Sequence, residues 1–346
     1  MTDTQRKLRV AVIGAGRMGG HHARTYSQLP DCELVAVVDK EAERARRIAS
    51  EYHARAVTDG GDAAAVAGRL AGVDAVSVCV PTAYHAEVAA PYVERGTPVL
   101  VEKPLAPDIA SAQRMLDAVR RTGTLLQVGH SERFNPVVQA MLRMGVRPRF
   151  IETSRVSPFT FRSADIGVVL DMMIHDIDIV LHLVQQREYT VHAVGVSVLG
   201  AHEDVANARV GFADGSVVNL TASRLALKTE RRIRVFCPTA YISMDYHKKS
   251  GIAIRLDDNL DLIRIARERN FEDLSQMQEL DFGSMIKIEP LVVENVDPLR
   301  AEIQCFLDSV RTGAAPAVSA EDGFAAVEMA ERIAAAVKAQ NWELAR

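Results

Sequence analysis

The chain has 346 residues, enough for about two domains, and its 48% hydrophobic and 25% charged content is that of a globular protein able to bury a core. A formal charge of −4 at pH 7 offers no field for nucleic acid, and no window approaches the roughly 18 uncharged apolar residues of a membrane span. The start shows no apolar leader, and Cys32, Cys79, Cys237 and Cys305, without CxxC spacing, read as reduced structural thiols of a cytoplasmic protein.

The apolar run Leu8 to Ile13 predicts a strand, followed by Gly14, Gly16 and Gly19 and then a helical pattern. In a dinucleotide site the first glycine permits the tight turn, the second lets a pyrophosphate approach, and the third allows close helix–strand packing. The helix N-terminus, with Arg17 and Met18 in its first turn, offers free N–H groups to phosphate. A second strand, "CELVAVVD", ends on Asp39, where an acid accepts bonds from a ribose 2′-hydroxyl and repels a 2′-phosphate. The cofactor expected is therefore NAD. Lys40, Arg44, Arg46 and Arg47 follow and are read as a solvated helix face, with NADP tolerance left open.

Strand and helix then alternate. "VDAVSVCVP", "PVLVEKP" and "TLLQVGH" read as strands, and "AYHAEVAAPYVERG" and "DIASAQRMLDAVRRTG" as helices closed by Gly96 and Gly123. This alternation predicts an α/β fold beginning with a Rossmann doubly wound parallel sheet. Ligands of such sheets lie at the carboxyl ends of the strands, which here supply Gly14, Asp39, Pro81, Thr82, Glu102, Lys103 and His130.

From about residue 129 a second domain is expected, giving boundaries of 1–128 and 129–346. One helix, Asp165 to about Gln186, precedes strand-like runs such as "TVHAVGVSVLG", "SVVNLTAS" and "RRIRVF", with a hairpin turn at Asp214-Gly215. They predict an open, mainly antiparallel sheet with one face covered. Helices return at "DPLRAEIQCFLDSVRTG" and near 319–340, the last able to pack back on the first domain. In "VVLDMMIHDIDIVLHLV" a helix puts Asp171 and His175 on one face, Cβ atoms about 5–6 Å apart. Asp178 and His182 continue that stripe. By itself the spacing fits either a hydrogen-bonded core pair or a catalytic pair.

"VEKPLA", "VIGAGRMGGHHA", "VPTAYHAEVA" and "LDMMIHDIDIVL" together resemble the Gfo/Idh/MocA oxidoreductases over essentially the whole chain. The resemblance implies NAD(P)-dependent oxidation or reduction of a sugar or polyol hydroxyl, with a second domain that covers the nicotinamide and forms oligomer contacts. Within the family, "VGHSERFNP", "DMMIHDID" and "AYISMDY" most resemble the UDP-N-acetylglucosamine 3-dehydrogenases. These make a 3-keto nucleotide sugar that a 3-aminotransferase carries on toward a 2,3-diamino sugar of lipid A. The alternatives are an inositol, a free sugar or a UDP-hexuronate as substrate, or an NAD-binding sensor without turnover.

The resemblance assigns catalysis to Lys103, Asp171 and His175. His175 is the favoured base, because an unperturbed imidazole titrates near neutrality. Asp171 would orient it, and Lys103 would steady the alkoxide or act as base itself. Glu102 is a positioning residue, and Pro104 fixes the turn presenting Lys103, through a bond often cis in similar enzymes. Thr82 and His85 are expected on the cofactor rim, His85 alternatively as a structural residue. Arg133 and Asn135 are expected near nicotinamide or substrate, and Arg162, Arg224 and Lys228 near a sugar diphosphate. No metal is expected, since neither HxxxH nor HExxH occurs. A homodimer or homotetramer is the expected assembly, with a nucleotide sugar as partner and neither nucleic acid nor membrane.

Overall fold

In the computed structural model, which describes residues 6–160, 166–199, 202–256 and 287–340, the chain forms two units. The first comprises Met1–Phe134, Val169–Leu181 and Val296–Ala335, and the second Asn135–Val168, His182–Asn295 and Ala336–Arg346. A single cut near residue 128 therefore does not divide the chain. The segment with Asp171 and His175 belongs to the unit that begins with the glycine turn.

The first unit runs β1 (Leu8–Ile13), α1 (Arg17–Gln28), β2 (Cys32–Asp39), α2 (Ala42–Glu51), β3 (Arg55–Thr58), α3 (Ala63–Arg69), β4 (Ala75–Val78), α4 (His85–Glu94), β5 (Val99–Glu102), α5 (Ile109–Thr122) and β6 (Leu126–Gly129). Its six strands are parallel in the order β3-β2-β1-β4-β5-β6, the doubly wound order of dinucleotide-binding folds. All residues of β4, β5 and β6 are buried, which is why those strands are mostly apolar, with Ser77, Glu102 and Gln127 the polar residues among them. β3 and α3 are not among the predicted elements: in β3 only Val57 is buried, so it shows no apolar run.

Two later helices complete this unit, α8 (Pro298–Thr312) and α9 (Ala320–Lys338), after α6 and α7, which are given below. In α8 the Asp297 side chain caps the Arg300 amide at 2.9 Å, and Gly313 (φ 70°) ends the helix. Ile303, Phe306 and Leu307 join Val10, Val12, Tyr26 and Leu100 in one apolar cluster, each such side chain contributing roughly 1.5–3 kcal/mol by burial. The approach to α9 is tied to β6 through the Val318 carbonyl, which accepts from Val128 N at 3.0 Å.

The predicted helix across Asp171 and His175 begins as a π-helical turn, Val169–Met173, and becomes α-helical as α7 (Ile174–Val184). A π turn adds a residue to the helical repeat and recurs at functional sites.

In the second unit, α6 (Pro136–Leu142) accompanies an eight-stranded sheet of β7 (Phe150–Val156), β8 (Tyr189–Val196), β9 (Val205–Phe212), β10 (Val217–Ser223), β11 (Glu230–Phe236), β12 (Ala240–Asp245), β13 (Ser250–Arg255) and β14 (Glu289–Pro290). Their order is β14-β13-β12-β11-β7-β10-β9-β8, antiparallel except for β7 beside β10. Strict alternation of buried and part-exposed residues in β7 and β10 gives the sheet one covered face. The α/β expectation, a Rossmann sheet followed by an open, mainly antiparallel one, is the architecture found.

Candidate active site

The phosphate turn follows from three glycines with different jobs. Gly14 has φ +97°, and a Cβ there would stand 2.7 Å from the Cys79 carbonyl. A Cβ on Gly19 would stand 1.7 Å from the Gly14 carbonyl oxygen. Around Gly16 no atom lies within 4 Å of a built Cβ, so its backbone is open to a ligand. Gly16 also caps α1 without a side-chain bond, leaving the helix N–H groups to be met otherwise.

Asp39, at the end of β2, accepts from Ala15 N at 2.7 Å and from Glu41 N at 2.9 Å. The acid thereby locks the phosphate turn to the neighbouring strand. A cavity of about 560 Å³ opens beside the turn, and Arg17, Arg24, Arg44 and Arg47 help line it. Arg44 pairs with Glu41 at 2.8 Å and stands 3.8 Å from Asp39. Open backbone at Gly16, uncapped N–H groups and an oriented carboxylate fit an NAD adenosine diphosphate. Pro81 and Thr82 sit on the exposed turn after β4, with Thr82 opening a short 3-10 turn.

Lys103 follows β5, and its bond to Pro104 is cis. Its Nζ donates to the Asp171 carbonyl oxygen at 2.8 Å and stands 3.6 Å from the Asp171 carboxylate. Asp171 was expected to orient His175, but the partner its carboxylate has is the lysine. The π turn accounts for this, because the four-residue spacing stacks two side chains only on a regular α-helix. His175, in the first turn of α7, is partly buried.

Glu102 points the other way, as alternation along a strand requires. Its carboxylate lies 2.8 Å from Nε2 of the fully buried His22. Burial pushes the Glu102 carboxyl up, but the bond to His22 and the nearby charges more than offset this and leave it below the usual range.

Several expected contacts are corrected. His85 is buried, its Nδ1 2.8 Å from the Pro104 carbonyl and its Nε2 2.9 Å from that of Val80. It ties the turn after Lys103 to the end of β4 and does not face a cofactor rim. Arg133 is 4% exposed: its Nε donates to Asp178 at 2.9 Å, its Nη2 to the other oxygen of Asp178, and Asp322 lies 3.7 Å away. Desolvation works against its charge, but Asp178 outweighs it and raises the guanidinium further. A cation committed in this way holds β6 to α7 and is not offered to substrate. Asn135 caps α6 through the Val137 amide at 3.2 Å. Arg224 is likewise committed, donating to Asp204 at 2.6 Å and to the Ile166 carbonyl at 2.9 Å. Lys228 is exposed in the second unit, and Arg162 lies outside the described residues.

Sequence reasoning missed His22 and Glu302. The signal was present: His22 stands with Gly19, Ala23 and Tyr26 on the buried stripe of α1, and Glu302 with Ile303, Phe306 and Leu307 on that of α8. A polar residue on a core-facing stripe is informative in a way that a surface one is not. Among the described residues, no helix is long and apolar enough to cross a membrane.

Comparison with known proteins bears on the fold and the family. Residues 8–130 match the pattern described as an oxidoreductase family with an NAD-binding Rossmann fold, and 139–243 match the GFO/IDH/MocA C-terminal domain. UDP-N-acetylglucosamine 3-dehydrogenase of Acidithiobacillus ferrooxidans is 37% identical over 253 residues, 70% of this chain and 78% of the relative. Inositol 2-dehydrogenase of Rhizobium meliloti is 28% identical over 345 residues, 94% and 95% of the two chains. The solved structure of the Acidithiobacillus enzyme superposes with a TM-score of 0.83 at 30% identity, covering 96% of this chain and 98% of that one.

Proposed function

The chain belongs to the Gfo/Idh/MocA oxidoreductases, and from that membership we propose that it oxidises the 3-hydroxyl of UDP-N-acetylglucosamine to the 3-keto nucleotide sugar. It is an NAD-dependent dehydrogenase of the sugar type. The observation that carries the reading is the Lys103–Asp171 pair at the carboxyl edge of the sheet that bears the phosphate turn, joined by the likeness to the Acidithiobacillus enzyme.

Oxidation of a secondary alcohol removes a hydride and a proton. Bound NAD supplies the hydride acceptor. The protein must hold the alcohol, take its proton and tolerate the developing alkoxide. A carboxylate 3.6 Å from a lysine favours the ammonium form, which suits Lys103 to hydrogen-bond the reacting oxygen. His175, one turn along, is the base in this reading. Asp171 acts by holding the lysine. The keto sugar is an electrophile ready for amination, so a 3-aminotransferase serving lipid A is the consumer we propose.

The Rhizobium relative matches nearly the whole chain, which favours a polyol such as inositol as the second reading. The test is NADH absorbance with NAD and UDP-N-acetylglucosamine, coupled to a 3-aminotransferase because ketone formation is uphill. Turnover of the nucleotide sugar and not of inositol is expected. Turnover of inositol alone would establish the second reading, and NAD binding without turnover of either would make the chain a sensor.

A further inference from the structure

Behind the strand end that carries Lys103 lies a cluster the reaction leaves unused. His22 on α1, Glu102 on β5 and Glu302 on α8 each bring one ligating atom to within 4.8 Å of the others. His22 and Glu302 have no exposed surface, and Glu102 is 8% exposed. Both carboxyl oxygens of Glu302 are enclosed, and neither meets a hydrogen-bond partner among the described residues. The lack of HxxxH or HExxH spacing has no bearing here, because the three residues come from elements far apart in the chain.

Protonation of Glu302 does not by itself account for this. A carboxylic acid still has an O–H to give and a carbonyl oxygen to satisfy, and burying either unpaired costs free energy. Left ionised, Glu302 would stand beside the Glu102 carboxylate as a second buried anion, and buried charges are paired or coordinate metals. A divalent cation meets both needs. It gives the Glu302 oxygens a partner, and it balances the charge of two carboxylates.

Distances and surroundings suit such an ion. Two ligands about 2.1 Å from one metal subtend about 85° there when they stand 2.8 Å apart, the separation of His22 Nε2 and Glu102 Oε1. Opposite ligands at that bond length are about 4.2 Å apart, so Glu302 joins the pair with at most about 0.6 Å of side-chain movement. His22 is oriented from its far side: Nδ1 lies 3.1 Å from Ser77 Oγ, itself 2.7 Å from the Tyr26 hydroxyl. A ligating imidazole commonly gives its other N–H to such a partner, which leaves a lone pair on the nitrogen that faces the metal. Behind Glu302, Gln127 Nε2 donates to the Glu302 carbonyl at 3.2 Å and steadies the turn of α8 that carries the carboxylate.

The geometry points to a structural metal site: His22, Glu102 and Glu302 hold one divalent first-row cation of the zinc or manganese kind, through imidazole and carboxylate ligands and no thiolate. The ion ties together α1 beside the phosphate turn, β5 whose end presents Lys103, and α8 from near the far end of the chain. Enclosed as its ligands are, it enters as the chain folds and exchanges slowly afterwards. It takes no part in hydride transfer, so the site stands whichever alcohol is the substrate.

Full-length protein purified without metal-affinity steps is expected to hold about one equivalent of zinc or manganese by elemental mass spectrometry, and to keep it through dialysis against EDTA. Unfolded in guanidinium with EDTA and refolded with Zn²⁺ or Mn²⁺, it should melt at least about 5 °C higher than when refolded without metal. The ion that raises the melting temperature more identifies the cation. Glu302→Gln, close in volume to the native side chain, gives up an anionic ligand. That variant should hold less than about a tenth of an equivalent and melt at a temperature indifferent to either ion. Less than about a tenth of an equivalent in the native protein would overturn the site, as would a refolded native chain that neither ion stabilises. So would a full equivalent in the variant, which would put the ion elsewhere. The measurements on the native chain decide the matter even if Glu302→Gln does not fold.

Discussion

The Lys103 ammonium donates to the Asp171 carbonyl at 2.8 Å with the carboxylate 3.6 Å away, so the lysine is fixed by two atoms of one residue. Fixing a charged group before the reaction removes reorganisation from the barrier. Lys103→Met is expected to lower kcat by about 10²–10⁴ while NAD affinity stays within a few-fold, read by single-turnover NADH formation and by titration of NAD fluorescence quenching. Retention of more than a tenth of the native kcat would remove the lysine from the chemistry. Asp171→Asn keeps the carbonyl contact and loses only the charge, and about a tenfold loss is expected. His22 and Glu302 show what single-residue reading misses. Each is a polar letter inside an apolar stripe, and its meaning depends on a partner that no local pattern names.

On the level of elements, the strand–turn–helix at the start was legible because its constraints are local. Gly19 is required by a backbone atom, the Gly14 carbonyl, that cannot move aside. Gly19→Ala should raise the NAD dissociation constant at least a hundredfold or prevent folding, as seen by calorimetric titration and circular dichroism. Native affinity in that variant would contradict the packing described here. The helix across Asp171 was legible in existence but not in pitch. Its first turn is π-helical, and this moved the Asp171 carboxylate from the imidazole to the lysine. The next turns carry Asp178, paired with the buried Arg133. Removing one partner leaves a buried charge uncompensated, so Asp178→Ala should cost about 3–5 kcal/mol in chemical denaturation. Asp322, 3.7 Å from Arg133, sets the low end of that range as the expected value. A cost below about 1 kcal/mol would mean that the pair does not hold β6 to α7.

For the whole molecule, buried histidines make stability depend on acid. Burial lowers His85, with Glu102 opposing, and lowers His130, whose neighbours are Asp178, Arg133, Lys103 and Glu102. Neither ring nitrogen of His130 has a protein partner. The unfolded chain takes up these protons below about 6.5 while the folded chain resists, so stability is present above that pH and lost as pH falls through it. Each histidine contributes up to about 1.4 kcal/mol per pH unit of that loss. Unfolding measured from pH 7.5 to 5.5 should show the decline, and His130→Asn should show a shallower one. An unchanged slope in the variant would place His130 among charged, solvated residues.

By itself the sequence determined the two-part α/β architecture, the NAD turn at Gly14, Gly16 and Gly19 with Asp39, and the candidates Lys103, Asp171 and His175. The architecture and the turn rest on periodicity and on glycine geometry, which act between residues close in the chain, whereas the three candidates rest on the likeness of their motifs to the Gfo/Idh/MocA family. Tertiary structure alone decided which charges are spent inside the protein. Arg133, Arg224 and His85 looked available as letters and proved committed to Asp178, Asp204 and Pro104. It also brought Glu302 to His22 and Glu102 from the far end of the chain. The reason is physical: the cost of burying a charge depends on which groups surround it, and those groups come from elements that only folding brings together.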